Sequence, residues 1–133
     1  IEKYLETLLK AYENELEANG KSGYAPSRFD KIESPELEHL APSTEPAVKP
    51  HGYGVYDEEF THQYLNCLGN YLLLSKSHNC SVGNNHLKDK IETYNHLAQQ
   101  REIKGFITES GIWDKEAITK RKTKIVKFVM ANF

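Results

Sequence analysis

The segment Glu36-Leu37-Glu38-His39-Leu40-Ala41-Pro42 holds the side chains of this sequence best suited to hydrolytic chemistry. A neutral histidine can take a proton from water near pH 7, and a neighbouring carboxylate can bind a divalent cation. On a strand over 36–40, alternation places Glu36 and Glu38 on one face and directs His39 to the other. A twist or bulge at the strand end would bring Glu38 and His39 around one site.

Two asparagines further along the chain strengthen this interpretation. Asn70 and Asn79 flank the apolar stretch Tyr71-Leu72-Leu73-Leu74, whose length is typical of a strand. An acid beside a histidine is common on protein surfaces, whereas its combination with two asparagines around an apolar strand is much rarer.

These features resemble the HNH, or ββα-metal, nucleases. Their hallmark is acid-His-Ile-x-Pro, a later Asn-x-x-Leu-Leu, and a final Asn or His that opens a helix. Glu38-His39-Leu40-Ala41-Pro42, Asn70 and Asn79 supply each part. Leu40 stands where isoleucine is usual, which keeps the position apolar.

A closer resemblance is to the C-terminal nuclease domain of GmrSD-type modification-dependent restriction enzymes. These share Gly-Asn-Leu-x-Leu-Leu, then Asn, then Phe-x-x-Lys-x-x-x-Tyr, and the last motif is similar to the segment from Leu87 to Tyr94. Tyr71 and Leu87 replace the usual Leu and Phe. The family's closing-helix Trp, Ile and Arg look like Trp113, Ile118 and Arg121, so the resemblance spans roughly residues 30 to 130.

The resemblance implies hydrolysis of DNA, with His39 as the general base and Asn70 holding the loop that orients it. Phosphodiester hydrolysis needs a deprotonated water and a cation that neutralises developing charge. Carboxylate and amide oxygens suit Mg²⁺ or Mn²⁺, so Glu38 and Asn79 are the predicted ligands. Glu36 is a secondary candidate, as a water-mediated ligand or a plain rim carboxylate.

Other residues are predicted to act around this centre. Lys90 would pair with a substrate phosphate or stabilise transition-state charge, unless it is simply a solvated lysine. His78 is a secondary candidate because it lies near the metal loop. Lys76, Lys88 and Arg121 are the basic side chains expected to contact DNA.

The spacing of apolar residues predicts the elements that position these side chains. They are an amphipathic helix over 1–19, a strand over 36–40, a long loop over 41–56, a short helix from Asp57 to Gly69, a strand over 71–74, a helix from Leu87 to Leu97, a helix near 101–109, and a long basic helix from about Asp114. The expected fold class is a mostly helical α+β fold: a short two-stranded ββα-metal core over 36–98, flanked by the helix over 1–19 and a helical tail over 101–133.

Length and charge limit the alternatives. A chain of 133 residues with 38% hydrophobic content is expected to form one domain. The net charge of −2 divides into −7 for residues 1–63 (6 bases, 13 acids) and +5 for 64–133 (11 bases, 6 acids). The basic half would face a phosphate backbone or form a solvated helix face. The absence of a long apolar run predicts a cytoplasmic protein without membrane contact.

The chain begins at Ile1 rather than Met, which indicates either a C-terminal piece of a larger protein or a processed or partly ordered chain. In relatives a nucleotide-hydrolysing domain lies upstream, and it is the expected partner besides DNA, which is possibly modified. Two other functions stay open: a catalytically inactive module for nucleic-acid binding or domain assembly, and a helical structural domain in which Asn70 and Asn79 are turn and cap residues.

Overall fold

The computed structural model describes residues 2–18, 35–75, 78–79, 86–107 and 111–132. The regular elements are α1 (Glu2–Ala18), β1 (Pro35–His39), β2 (Tyr71–Ser75), α2 (Leu87–Thr93), α3 (Ala98–Arg101), α4 (Ile103–Phe106) and α5 (Lys115–Asn132). A π-helical turn, Phe60–Tyr64, and a 3₁₀ turn, Leu68–Asn70, lead into β2. The predicted fold class is confirmed: the molecule is a mostly helical α+β fold with a short two-stranded sheet.

The two strands pair antiparallel, with His39 opposite Tyr71 and Glu36 opposite Leu74. Both predicted strands are confirmed within one residue at their ends. Leu72 and Leu74 belong to one buried cluster, and Leu73 belongs to a second cluster with residues of α1 and α5. Because both faces of the sheet are covered, β2 is a continuous apolar run instead of an alternating one.

Glutamine side chains from α3 occupy the outer edge of β2. The backbone N–H of Leu73 donates to Gln99 Oε1 at 3.2 Å, and Gln100 Nε2 donates to the carbonyl of Leu73 at 3.0 Å. The buried Glu13 of α1 in turn accepts from the backbone N–H groups of Ala98 and Gln99 at 2.9 and 3.0 Å. These bonds satisfy an edge that would otherwise expose unpaired backbone groups, and they join α1, α3 and β2.

The predicted helix from Leu87 to Leu97 is wrong in its second half. α2 ends at Thr93, and Tyr94 leaves the helical region with φ −84° and ψ 70°. Leu87 and Tyr94 pack in one cluster while Leu97 packs in the other, and the break lets the chain fill both. The helix predicted near 101–109 is likewise two shorter pieces, α3 and α4, and residues 108–110 lie outside the described chain.

The predicted short helix from Asp57 to Gly69 is also irregular, since it consists of the π-helical and 3₁₀ turns. The long C-terminal helix is confirmed, and Asp114 Oδ1 caps it by accepting from the N–H of Ala117 at 3.0 Å. Ile118 and Ile125 of α5 are buried as expected. Among the described residues, no helix combines the length and apolarity needed to cross a bilayer.

Gly69 marks the place where the 3₁₀ turn touches α5. A Cβ atom at this position would lie 2.2 Å from the backbone oxygen of Ile118. Gly69→Ala should therefore force α5 away from the turn and lower the free energy of unfolding by about 2 kcal/mol, as overpacking does elsewhere. Urea unfolding measures this change.

The matched control for that substitution is Gly105→Ala in α4, where a Cβ would meet nothing within 4 Å. Its stability should stay level or rise slightly, because alanine has the higher helix propensity. Equal unfolding midpoints for the two variants would contradict the close approach at Gly69.

Candidate active site

A cleft of about 330 Å³ opens where β1 ends. Its described lining consists of Leu37, Glu38, His39, Pro42, Ser43, Thr44 and Asn79. Three of the predicted site residues, Glu38, His39 and Asn79, thus share one cleft, although strand alternation separates the first two. His39 is the last residue of β1, so both side chains reach the same opening where the strand stops.

Glu38 is buried beneath the cleft, with 5% of its surface exposed. Tyr94 donates its hydroxyl to Glu38 Oε2 at 2.5 Å, and Lys90 Nζ lies 3.2 Å from Oε1. Burial raises the pKa of Glu38, while the Lys90 ammonium and the Tyr94 hydroxyl act in the opposite direction. The carboxylate is therefore fixed in place by two side chains of one helical segment.

Lys90 itself is fully buried. Its Nζ donates to the carbonyl of Leu40 at 3.0 Å besides pairing with Glu38, so it holds the residues on both sides of His39. Burial lowers the pKa of Lys90, and the Glu38 carboxylate opposes that shift. Because the Lys90 side chain is not exposed, it cannot contact a substrate phosphate, and the predicted phosphate contact is wrong. The alternative prediction, that Lys90 is a solvated lysine, is wrong for the same reason.

This contact explains the spacing of the motif on α2. Lys90 lies on α2, and Tyr94 directly follows its last residue, so side chains four residues apart project to the same side and both reach Glu38. Leu87, the first position of the motif, packs in the core. Sequence reasoning noted Tyr94 as part of the motif but did not place it in the site.

Asn70 holds the loop that follows His39. Its Oδ1 accepts from the N–H of Ala41 and from Trp113 Nε1, both at 2.9 Å. Its Nδ2 donates to the carbonyls of Ala41 and Leu65 at 3.0 and 2.9 Å. The predicted contact with the loop is confirmed, and a catalytic contribution stays a prediction.

His39 is oriented by Asn66, which sequence reasoning missed. Its Nε2 lies 2.8 Å from Asn66 Oδ1, and the hydroxyl of Tyr71 also donates to this oxygen, at 3.4 Å. An amide oxygen only accepts, so Nε2 carries the proton and Nδ1 keeps its lone pair in the neutral ring. The Tyr71 ring, 4.7 Å away between centroids, supports the imidazole from the neighbouring strand.

Asn79 reaches the cleft from the segment after β2. Ser75 Oγ accepts from the N–H of His78 at 3.2 Å, which keeps this segment close to the sheet. Asn79 Nδ2 donates to Glu36 Oε1 at 2.9 Å, so its amide oxygen is the atom that remains for another ligand. Glu36 therefore positions Asn79. His78 bonds Thr93 Oγ1 at 2.6 Å and is not among the residues lining the cleft.

Of the predicted DNA contacts, Arg121 and Lys88 are not among the residues that line this cleft. Arg121 is fully buried, and its Nη1 donates to the backbone carbonyls of Gly69 and Tyr71, so the prediction that it contacts DNA is wrong. Lys88 is exposed on α2 and lines a different pocket, of about 530 Å³, together with His51. Lys76 lies outside the described residues.

The oxygens of the cleft fit a hard cation. Among the described residues, no group of three or more His, Cys, Asp or Glu side chains converges on one point. Mg²⁺, however, is commonly held by one or two protein oxygens, with waters and substrate phosphate completing its shell. Glu38 offers a carboxylate whose Oε1 lies 3.2 Å from the Lys90 ammonium, and Asn79 offers the amide oxygen that its bond to Glu36 does not use.

A histidine at a strand end, a buried acid beside it and an asparagine across the same cleft define a site suited to phosphodiester hydrolysis. The family model described as GmrSD restriction endonucleases, C-terminal domain, matches residues 2–128, and the chain belongs to this family. The predicted resemblance is thereby confirmed, and the chain is a domain related to restriction endonucleases. Neither a curated protein nor a solved structure matches the chain.

Proposed function

We propose that this chain is a metal-dependent DNA endonuclease domain of the HNH type. The observation that carries the proposal is the shared cleft, in which Glu38, His39 and Asn79 come together from two separate segments. Family membership supports a role in restriction and makes DNA the expected substrate.

His39 is the proposed general base. Its Nδ1 lone pair is left free by the bond between Nε2 and Asn66, and the ring lines the cleft, where it would take a proton from the attacking water. Lys90 and Asn70 hold the backbone directly after His39, at Leu40 and Ala41. The base is thus fixed by its ring partner and by its neighbours along the chain.

Glu38 and Asn79 are the residues that would hold Mg²⁺ or Mn²⁺. The cation would supply stabilisation of the negative charge that develops on the phosphate and on the leaving oxygen. Glu36 supports this set by fixing the amide of Asn79, and Tyr94 does the same for the carboxylate of Glu38. Such partners are needed to keep metal ligands oriented.

The larger assembly follows from the family resemblance. We expect an upstream nucleotide-hydrolysing domain to act with this one, in a cytoplasmic defence system that restricts foreign and possibly modified DNA. The products would carry 5′-phosphate and 3′-hydroxyl ends.

The test is cleavage of supercoiled plasmid, modified and unmodified, by the 133-residue chain with Mg²⁺ or Mn²⁺ and with a chelator control. We expect nicking that requires the metal, and ends that a polymerase extends directly and a kinase labels only after phosphatase treatment. Cleavage that persists in chelator would overturn the metal requirement. DNA binding without cleavage of either plasmid would favour the inactive binding module.

A further inference from the structure

The described lining of the cleft contains no lysine or arginine. Lys90 and Arg121, two of the cations predicted to contact the substrate, are fully buried and bonded within the protein. A nucleic-acid strand nevertheless has to be held by donors to its phosphate oxygens, and serine and threonine hydroxyls are among the groups that make such contacts. The donors of the lining must therefore be sought among its uncharged side chains.

Ser43 and Thr44 are the hydroxyl residues of the lining. Both are exposed, and neither side chain has a hydrogen-bond partner in the described chain. The half-buried Thr61 differs in this respect, because its Oγ1 donates to the carbonyls of Asp57 and Glu58 at 3.2 and 3.1 Å. The two cleft hydroxyls are thus free to bind a ligand.

The residues on both sides of this pair, Pro42 and Glu45, are held by hydrogen bonds. The hydroxyl of Tyr56 donates to the carbonyl of Pro42 at 2.7 Å, directly before Ser43. Directly after Thr44, Glu45 Oε2 lies 2.8 Å from Nε2 of the buried His51. Ser43 and Thr44 are therefore a two-residue segment between two held residues. Because the segment is already restrained, little conformational entropy is lost when the hydroxyls bind a ligand.

We propose that Ser43 and Thr44 form a subsite for a backbone phosphate of the nucleic-acid strand that is cut at His39. This rests on the proposed function, because the occupant is the substrate of the same cleft. The contact is made by neutral donors, so it adds affinity and position without releasing counterions from the nucleic acid.

The experiment compares Ser43→Ala/Thr44→Val with Thr119→Val, an exposed threonine of α5 outside the cleft. Each change is made in the His39→Ala chain, so that a labelled DNA duplex stays intact with Mg²⁺ during fluorescence anisotropy. We expect the double variant to bind roughly tenfold more weakly at every salt concentration. The slope of log affinity against log salt should be unchanged, whereas loss of a lysine contact lowers it by about one.

Several results would overturn the subsite. They are affinity within twofold of the Thr119→Val control, a changed salt slope, or an unfolding midpoint lowered enough to account for the weaker binding. Absence of DNA binding by the unsubstituted chain would overturn it as well. Failure of the nuclease proposal is separate: if the unsubstituted chain does not cut, the tenfold loss of binding at constant slope still supports the phosphate subsite.

Discussion

His39→Ala is expected to slow DNA cleavage by about 10²- to 10⁴-fold while leaving DNA binding nearly unchanged, because the variant loses the proposed general base. The ring is only partly buried, and within the described residues its side-chain hydrogen bond is to the exposed Asn66, so little stability depends on it. Single-turnover cleavage rates with saturating protein and Mg²⁺ measure the effect. Thermal unfolding shows that the variant is folded.

His62→Ala is the matched control, since this histidine lies on the π-helical turn with 70% of its side chain exposed. It should cut at the rate of the unsubstituted chain. If His39→Ala cut within tenfold of His62→Ala, another group would have to activate the water. The metal site and the phosphate subsite could then remain, but the assignment of the base would fail.

The sheet was predictable because its signals are local. Tyr71-Leu72-Leu73-Leu74 has the length and composition of a strand, and Asn70 and Ser75 mark its ends. The register, which places His39 opposite Tyr71, was not predictable. It depends on which apolar side chains enter each of the two clusters, and those clusters are built from helices distant in the sequence.

The site residues that belong to sequence motifs were predictable, whereas the roles of residues that depend on their burial were not. Glu38, His39 and Asn79 were predicted as one centre, and they line one cleft. Lysine and arginine side chains are normally exposed, so the residues around Lys90 and Arg121 in the sequence did not predict that these two are buried. Lys90 pairs with a carboxylate on β1, a strand far away in the sequence. Arg121 donates to backbone carbonyls, and any residue type can supply a carbonyl, so the sequence does not predict this contact.

One signal in the sequence went unused. Lys90 and Tyr94 are four residues apart, the spacing at which two side chains of a helix meet the same neighbour. Leu87, the first residue of the same motif, packs in the core. The side of α2 that holds Leu87 and Lys90 therefore faces the protein interior, which buries Lys90. Asn66, in contrast, had no such signal, because its role depends on the turn that brings it beside His39.

Lys90→Met is expected to lower the free energy of unfolding by about 3–5 kcal/mol. The change leaves the Glu38 carboxylate, 4% exposed, without the ammonium that lies 3.2 Å away, and it removes the donor to the carbonyl of Leu40. An unpaired buried charge costs far more than a lost surface contact. Urea unfolding measures the effect, and Lys88→Met is the control because Lys88 is exposed on the same helix.

The double variant Glu38→Gln/Lys90→Met separates stability from function. Removing both charges should restore most of the stability lost in Lys90→Met, because no unpaired charge remains in the core. Cleavage should stay low, since an amide replaces the carboxylate proposed to hold the cation. If both stability and cleavage recovered, Glu38 and Lys90 would contribute to stability only, through their ion pair. If stability recovered and cleavage did not, Glu38 would be needed for cleavage, and Lys90 would be the residue that stabilises this buried carboxylate beside His39.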